Sequence, residues 1–452
     1  MEETLHPNMS RPDLCGIHNQ TSQIIMLKDR YDNLLSTDSA PARDAYIEAV
    51  DLFLSSNAGV DDMFQKALDA DEKFCLAHLG RARNFQSIGH GAAALESLAA
   101  ARAVSQDVSE GEQAQLELLG MLIEGKGSSA YPLIRQHLLT FPRDALLAQT
   151  CMGVFSLIGF SGQPGRESEH LAFTTSLQPH YGEDWWFLAQ QAFAQIEVGM
   201  THLAESTIEK AQEANPRNAN MSHYKSHIHY ELGQHEAGFK FLDHWMKSYD
   251  KQGLLHCHIS WHLGLWSLAR GDIDAMWQIV DRDVAPGGAW GPPLNVLTDT
   301  AAILFRANIA GVEIDSSRWL KVSDYALKYF PKPGIAFADA HAALAHAMAG
   351  NSAALLKIVK DAKGPAADQV KCLAAAFLAF SIEDWDRAIH ELTIALRDHA
   401  RIGGSRAQRD LIEFAMLCCL LKQGQSDEAQ RMLSTRRPLI QAANLISGLA
   451  TD

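Results

Sequence analysis

Several features are missing from this chain, and each absence narrows what it can be. No two of its seven cysteines form a CxxC pair, so neither a thiolate zinc site nor a disulfide framework is indicated. Cys418 and Cys419 adjoin in the apolar stretch AMLCCLL and read as small packed hydrophobes. Long apolar runs are absent as well: the longest, Cys372 to Phe380, falls far short of a membrane span. Positive charge is scarce. A net charge of −15 argues against a nucleic-acid partner, because phosphate binding needs concentrated Lys and Arg. The opening MEETLHPNMSRPD lacks a basic-then-apolar signal pattern, which leaves a reducing cytosol as the simplest compartment and no membrane association expected. The chain has no nucleophile elbow GxSxG, phosphate loop GxxxxGK[ST] or HExxH zinc motif at its candidate sites, and no cofactor is implied. Finally, β-branched residues never alternate with period two, so no strands are expected.

What is there is helical repetition. The 452 residues, 47% apolar and 21% charged, suffice for two or three ordinary domains or one long array. Residues 1–41 are polar, with Pro7, Pro12 and Pro41, and read as an N-terminal tail or irregular wrap. Residues 42–452 read as a single tetratricopeptide-like domain, because a helical period takes over there and hardly stops. The tetratricopeptide period is about 34 residues, with small residues where paired helices approach and a closing proline. Taking Pro216 as that proline puts Ala192, Ala204 and Ala211 at the small positions and Ile208 at the large apolar one. Taking Pro142 independently puts Gly125 in the turn, Ala130 at a small position and Ile134 at the large one, with His137 replacing an Ala. Ser87–Ala101, Leu232–Leu242, Ala269–Val280, Met348–Val359, Ser381–Leu392 and Lys422–Leu433 repeat the turn and second helix. The fold class is therefore all-α, a superhelix of stacked helical hairpins curled around a central cavity. Gly159–Glu167 and Ala285–Asn295 are too rich in Gly and Pro to be helical and interrupt the array as ordered loops.

The first helix of each unit lines the concave face. On the unit after Pro216 this aims Asn220, His223, His227 and Tyr230 inward. The next first helix, HCHISWHLGLW, carries His258 and His262 one turn apart with Trp261 beside them. That is metal-ligand spacing, although two histidines make half a site and the metal question stays open. Asp299 opens a later helix, Asp339, His341 and His346 lie on another, and Arg406, Gln408, Arg409 and Asp410 follow a Gly-Gly-Ser entry. Each has a plain structural alternative: a core histidine bonding a carbonyl, a tryptophan packed between repeats, or an arginine in an internal ion pair. Their shared placement on first helices or their entries argues for a common site.

At SHIHYE (Ser226–Glu231), CHISWHLGLW (Cys257–Trp266), FADAHAALA (Phe337–Ala345), IGGSRAQRDL (Ile402–Leu411) and EGEQAQLELLGMLIEGK (Glu110–Lys126), the chain resembles the tetratricopeptide repeat protein 38 family. The match in order and spacing runs from about Asp62 to the last helix. It departs from the family pattern where Tyr230 separates the second His of SHIHYE from the acid, Glu231. The resemblance implies an all-α superhelix and implies that these His, Trp, Asp and Arg positions belong together. It implies no settled biochemical activity.

Two functions follow. One is an internal site for a small anionic molecule, with acid/base work by His227, His258, His262, His341 and Asp339. His223, Tyr230, Trp261, Asp299, Gln408 and Arg409 would bind the ligand. The other is a non-catalytic scaffold holding a peptide or protein in the concave groove. Whether the protein is an enzyme, and whether it forms a homodimer, stays open. Two local expectations accompany these. Arg409 stands at a helix start, where its charge is unfavourable, so an anion should face it. A ligand in the histidine cavity is one candidate and an internal acid the other. Trp245 takes an Ala position and should fill the gap left by Gly238.

Overall fold

The computed structural model describes residues 27–435 and 445–448. Residues 1–26, which carry most of the segment read as a tail, and Cys15 lie outside this range. Residues 27–35 are more ordered than expected. Leu27–Lys28 (β1) and Leu34–Leu35 (β2) form a minimal antiparallel ladder, pairing Leu27 with Leu35 and Lys28 with Leu34. Asp29 closes its turn by accepting the Tyr31 and Asn33 amides at 2.8 and 2.9 Å. A two-residue ladder leaves no alternation in the sequence, so the expectation of no strands misses it.

Everything after it is helical hairpins. They pair α1 (Ala40–Leu54) with α2 (Val60–Ala70), α3 (Cys75–Ser87) with α4 (Gly91–Ala103), and α5 (Glu110–Ile123) with α6 (Gly127–Thr140). A short α7 (Ala145–Gln149) and a long α8 (Arg166–Tyr181) flank the first Gly/Pro interruption. Then come α9 (Trp185–Glu197) with α10 (Thr201–Ala214), α11 (Ala219–Glu231) with α12 (His235–Met246), and α13 (His256–Ala269) with α14 (Ile273–Ile279). A π-helical turn, Val280–Val284, leads into the second interruption. The array resumes with α15 (Pro293–Ile309) and α16 (Ser316–Tyr329), α17 (Ala336–Met348) and α18 (Ser352–Asp361), and α19 (Ala367–Ser381) and α20 (Trp385–Leu396). A 3-10 turn at His399–Ile402 precedes α21 (Arg406–Lys422) and α22 (Ser426–Ser434). The protein is an all-α, tetratricopeptide-like helical-hairpin solenoid. Among the described residues no helix is long and apolar enough to cross a membrane.

The caps show why the helices begin where they do. Ser109 and Ser405 each form a capping box, with Glu112 and Gln408. The side chains of Asp184 and Asn218 accept the first free amides of α9 and α11. Inside the hairpin of α9 and α10, Ala192, Ala204, Ile208 and Ala211 are fully buried, as the repeat pattern requires.

Distant parts of the chain meet. The Ala219 amide donates to Ser55 O at 2.9 Å and the Asn220 side chain to Leu54 O at 2.9 Å, tying the end of α1 to α11. Arg166 donates to Ala400 O and Gly404 O, both at 2.6 Å, tying the first interruption to the entry of α21. The helix α21 packs against α11, α15 and α20. All fourteen residues of α13 are buried.

Trp245 is not the residue that fills the space over Gly238. That space belongs to Trp266 of α13, whose ring lies 2.4 Å from where a Cβ on Gly238 would stand. Only a glycine admits this approach. Trp245 is half-buried instead, its ring tilted against Tyr249 at 4.8 Å and its indole N–H donating to Pro216 O at 2.9 Å. Trp245→Ala is therefore expected to cost about 1 kcal/mol, well below the roughly 3–5 kcal/mol of a buried Trp→Ala change. Urea titrations of Trp245→Ala beside Trp266→Ala check this; equal losses would contradict it.

A candidate metal centre of four buried histidines

Two adjacent first helices build the site. On α11, His223 and His227 lie one turn apart; on α13, His258 and His262 do the same. An i,i+4 pair shares a helix face, so packing these two faces together brings four imidazoles into one cluster. All four are 1–4% exposed, and one ligating atom of each lies within 4.8 Å of every other. Ring centroids are 4.6 Å apart for His223–His227 and His223–His258, 4.7 Å for His227–His262 and 5.1 Å for His258–His262.

The hydrogen bonds sort the ring nitrogens. His223 Nε2 and His227 Nε2 face each other at 2.8 Å. His258 Nδ1 meets Asp299 Oδ2, from α15, at 2.8 Å. The Nδ1–H donates to this carboxylate, which leaves Nε2 as a lone pair directed at the cluster. That His258 Nε2, His227 Nδ1 and both nitrogens of His262 have no hydrogen-bond partner among the described residues. Each unsatisfied buried polar atom costs about 1–3 kcal/mol, so four in one cluster is a large burden for packing alone to explain. Trp261 stacks on His258 at 5.3 Å, and Phe193 and Phe155 wall the cluster at 5.6 Å from His227 and 6.3 Å from His258.

Burial sets the protonation state. It drives the His227 pKa down to about 3 and those of His223 and His262 well below the usual imidazole value, and the neighbouring imidazoles push the same way. Neutral imidazole is the form that ligates metals. Four nitrogen donors, one oriented by a carboxylate, are a donor set suited to zinc or another imidazole-preferring first-row metal.

The remaining sequence-predicted residues fall elsewhere. His341 is outside the four-histidine group. Its Nδ1 donates to Phe337 O at 2.8 Å, and it lines a separate cavity of about 10 Å³ with Gln408 and Arg409. Gln408 caps α21 with Ser405. Asp339 accepts the Gly334 amide at 2.9 Å, and burial pushes its pKa up to about 7. His346 pairs with Ser323 at 2.8 Å. Tyr230 accepts from Arg306 at 2.9 Å and donates to Asp410 at 3.1 Å, joining α11, α15 and α21. For Arg409, the internal acid is the partner observed: one arm donates to Gly404 O at 2.5 Å and the other bonds Glu167, with Glu197 at 3.8 Å. Glu231 pairs with Arg406 at 3.5 Å. Arg166, Glu167, Glu197 and Arg306 escaped the sequence reading. Arg306 had a visible cue, a lone cation inside the apolar run of α15.

No family model matches the chain. Its structure is similar to the crystal structure of yeast Tom70, at 15% identity over 89% of this chain and 84% of that one, with a TM-score of 0.35. It is also similar to the crystal structure of the P58(IPK) TPR domain, at 16% identity over 88% of this chain and 100% of that one, with a TM-score of 0.21. Superpositions this loose carry no information about the histidine site.

Proposed function

We propose that the protein is a non-catalytic helical-hairpin scaffold whose interior is fixed by one transition-metal ion, bound by His223, His227, His258 and His262. The observation behind this is the convergence of four buried imidazoles with Asp299 behind His258. Four protein ligands complete a tetrahedral shell, whereas catalytic zinc keeps a position open for water. The ion would join α11, α13 and, through Asp299, α15. Acid/base turnover of an anionic ligand has less support, because the Arg409 guanidinium meant to hold the anion is taken by Glu167 and Gly404 O. The histidine faces of α11 and α13 meet each other and α21 packs on α11 and α15, so we place protein partners on the outer surface of the array.

Purified protein reconstituted with zinc, copper or nickel is expected to retain about one ion per chain by mass-spectrometric metal analysis. The double variant His258→Ala/His262→Ala should retain almost none. Asp299→Asn should weaken binding roughly 10–100-fold, the usual cost of losing an orienting partner. Wild-type protein that retains none of these ions would overturn the proposal.

A further inference from the structure

A cleft of about 360 Å³, with none of the four clustered histidines in its lining, lies at the β1–β2 hairpin among α1, α5 and α7. Its lining includes the carboxylates Asp29, Glu112 and Asp144 and the aromatic rings of Tyr46, His137 and Phe141, but no lysine or arginine. Each carboxylate is held in place by neutral donors. Asp29 accepts from Asn33 and the Tyr31 amide, and Glu112 from Ser36 and the Ser109 amide. Asp144 accepts from Gln115 and the Leu147 amide, with His137 Nε2 at 3.0 Å from its second oxygen. Two guanidinium groups border the cleft: Arg143 pairs with the lining carboxylate Asp32, and Arg30, over the lining ring of Tyr31, pairs with Asp184 and Asp51 outside it.

Tyr46 points to what belongs there. It is 3% exposed, its ring packs on Phe64 and Phe74, and its hydroxyl has no hydrogen-bond partner among the described residues. Asp29, Asp144 and Glu112 are the charges that act most on that hydroxyl. Burial first, and these charges after it, hold the hydroxyl's pKa well above the usual value, and the charges surround it with negative potential. A group with several N–H donors and a positive charge would bridge the phenol oxygen and these carboxylates, and the aromatic walls would favour the same charge. Val50, Leu76 and Leu146 add an apolar floor.

We propose that this cleft binds a small organic ammonium ion with an apolar body. The proposal is independent of the metal centre. It is tested by calorimetric titration of the full chain at low salt with phenethylamine, using 2-phenylethanol as the uncharged probe of the same shape. The amine is expected to bind one per chain and at least tenfold tighter than the alcohol. Tyr46→Phe, which keeps the ring packing, should weaken the amine severalfold and leave the alcohol unchanged. Glu112→Gln, which keeps the oxygen facing Ser36, should do the same and flatten the salt dependence. Equal binding of both probes, amine binding indifferent to both variants, or no saturable binding would each overturn the proposal.

Discussion

Arg409→Met is expected to lower unfolding free energy by about 3–5 kcal/mol, the range seen when one partner of a buried ion pair is removed. The guanidinium is 4% exposed and faces Glu167 and the buried Glu197 while also donating to Gly404 O. Without it, Glu167 is left with Arg166 at 3.8 Å, a guanidinium already donating to Ala400 O and Gly404 O, and Glu197 is left with the Arg406 amide at 3.2 Å. Burial already holds the Glu197 pKa up at about 7 with Arg409 in place, so deleting the charge drives this carboxyl further toward its neutral form. Arg409→Lys should also destabilise, by less, because one ammonium cannot reproduce a planar fork aimed at a carbonyl and a carboxylate. Urea unfolding at neutral pH measures both. Unchanged midpoints would mean the pair carries no structural weight and would restore the reading of Arg409 as an anchor for a bound anion.

That reversal shows which parts of the molecule were legible. The helical period, the closing prolines and the small residues at Ala192, Ala204 and Ala211 are local signals. They gave the hairpins and the two interruptions, because hairpin geometry is decided by neighbours in sequence. The pairing of His223 and His227 with His258 and His262 was also within reach, since i,i+4 spacing on successive first helices places them on facing surfaces. The contacts that decide roles span much longer separations. Arg409 meets Glu167 across 242 positions and Tyr230 meets Asp410 across 180. Nothing in a helix start such as GGSRAQRD says which distant acid will face it. Trp245 was misassigned for a related reason. A small-residue position fixes that something large lies opposite, and not which of two tryptophans supplies it. His341 shared helix type with the other histidines but not their helices, and a common face on consecutive units does not extend to a unit four helices further along.

Acidification should unfold the protein well before its carboxylates titrate in the usual range. Burial pushes the pKa values of His170, His341, His346 and His399 down to about 4. The structure gives a reason at His170, whose Nε2 accepts the Gly153 amide at 3.0 Å and must stay unprotonated to do so. A histidine depressed in the folded state favours folding fully above its unfolded pKa of about 6.5. That contribution falls away as pH drops toward the folded value, because the unfolded chain takes up the proton first. Two acids work the other way. Glu197 and Asp339, raised to about 7, weigh against folding at neutral pH and are relieved as they protonate on the way down. Four groups against two leaves a net loss. At about 1.4 kcal/mol per pKa unit it amounts to roughly 5 kcal/mol between pH 6.5 and pH 4. Urea midpoints taken at half-unit steps across that range are expected to fall continuously, with high salt changing the slope little because the groups are buried. Midpoints that hold level down to pH 4.5 would show that these histidines are protonated in the folded protein and that burial does not keep them neutral.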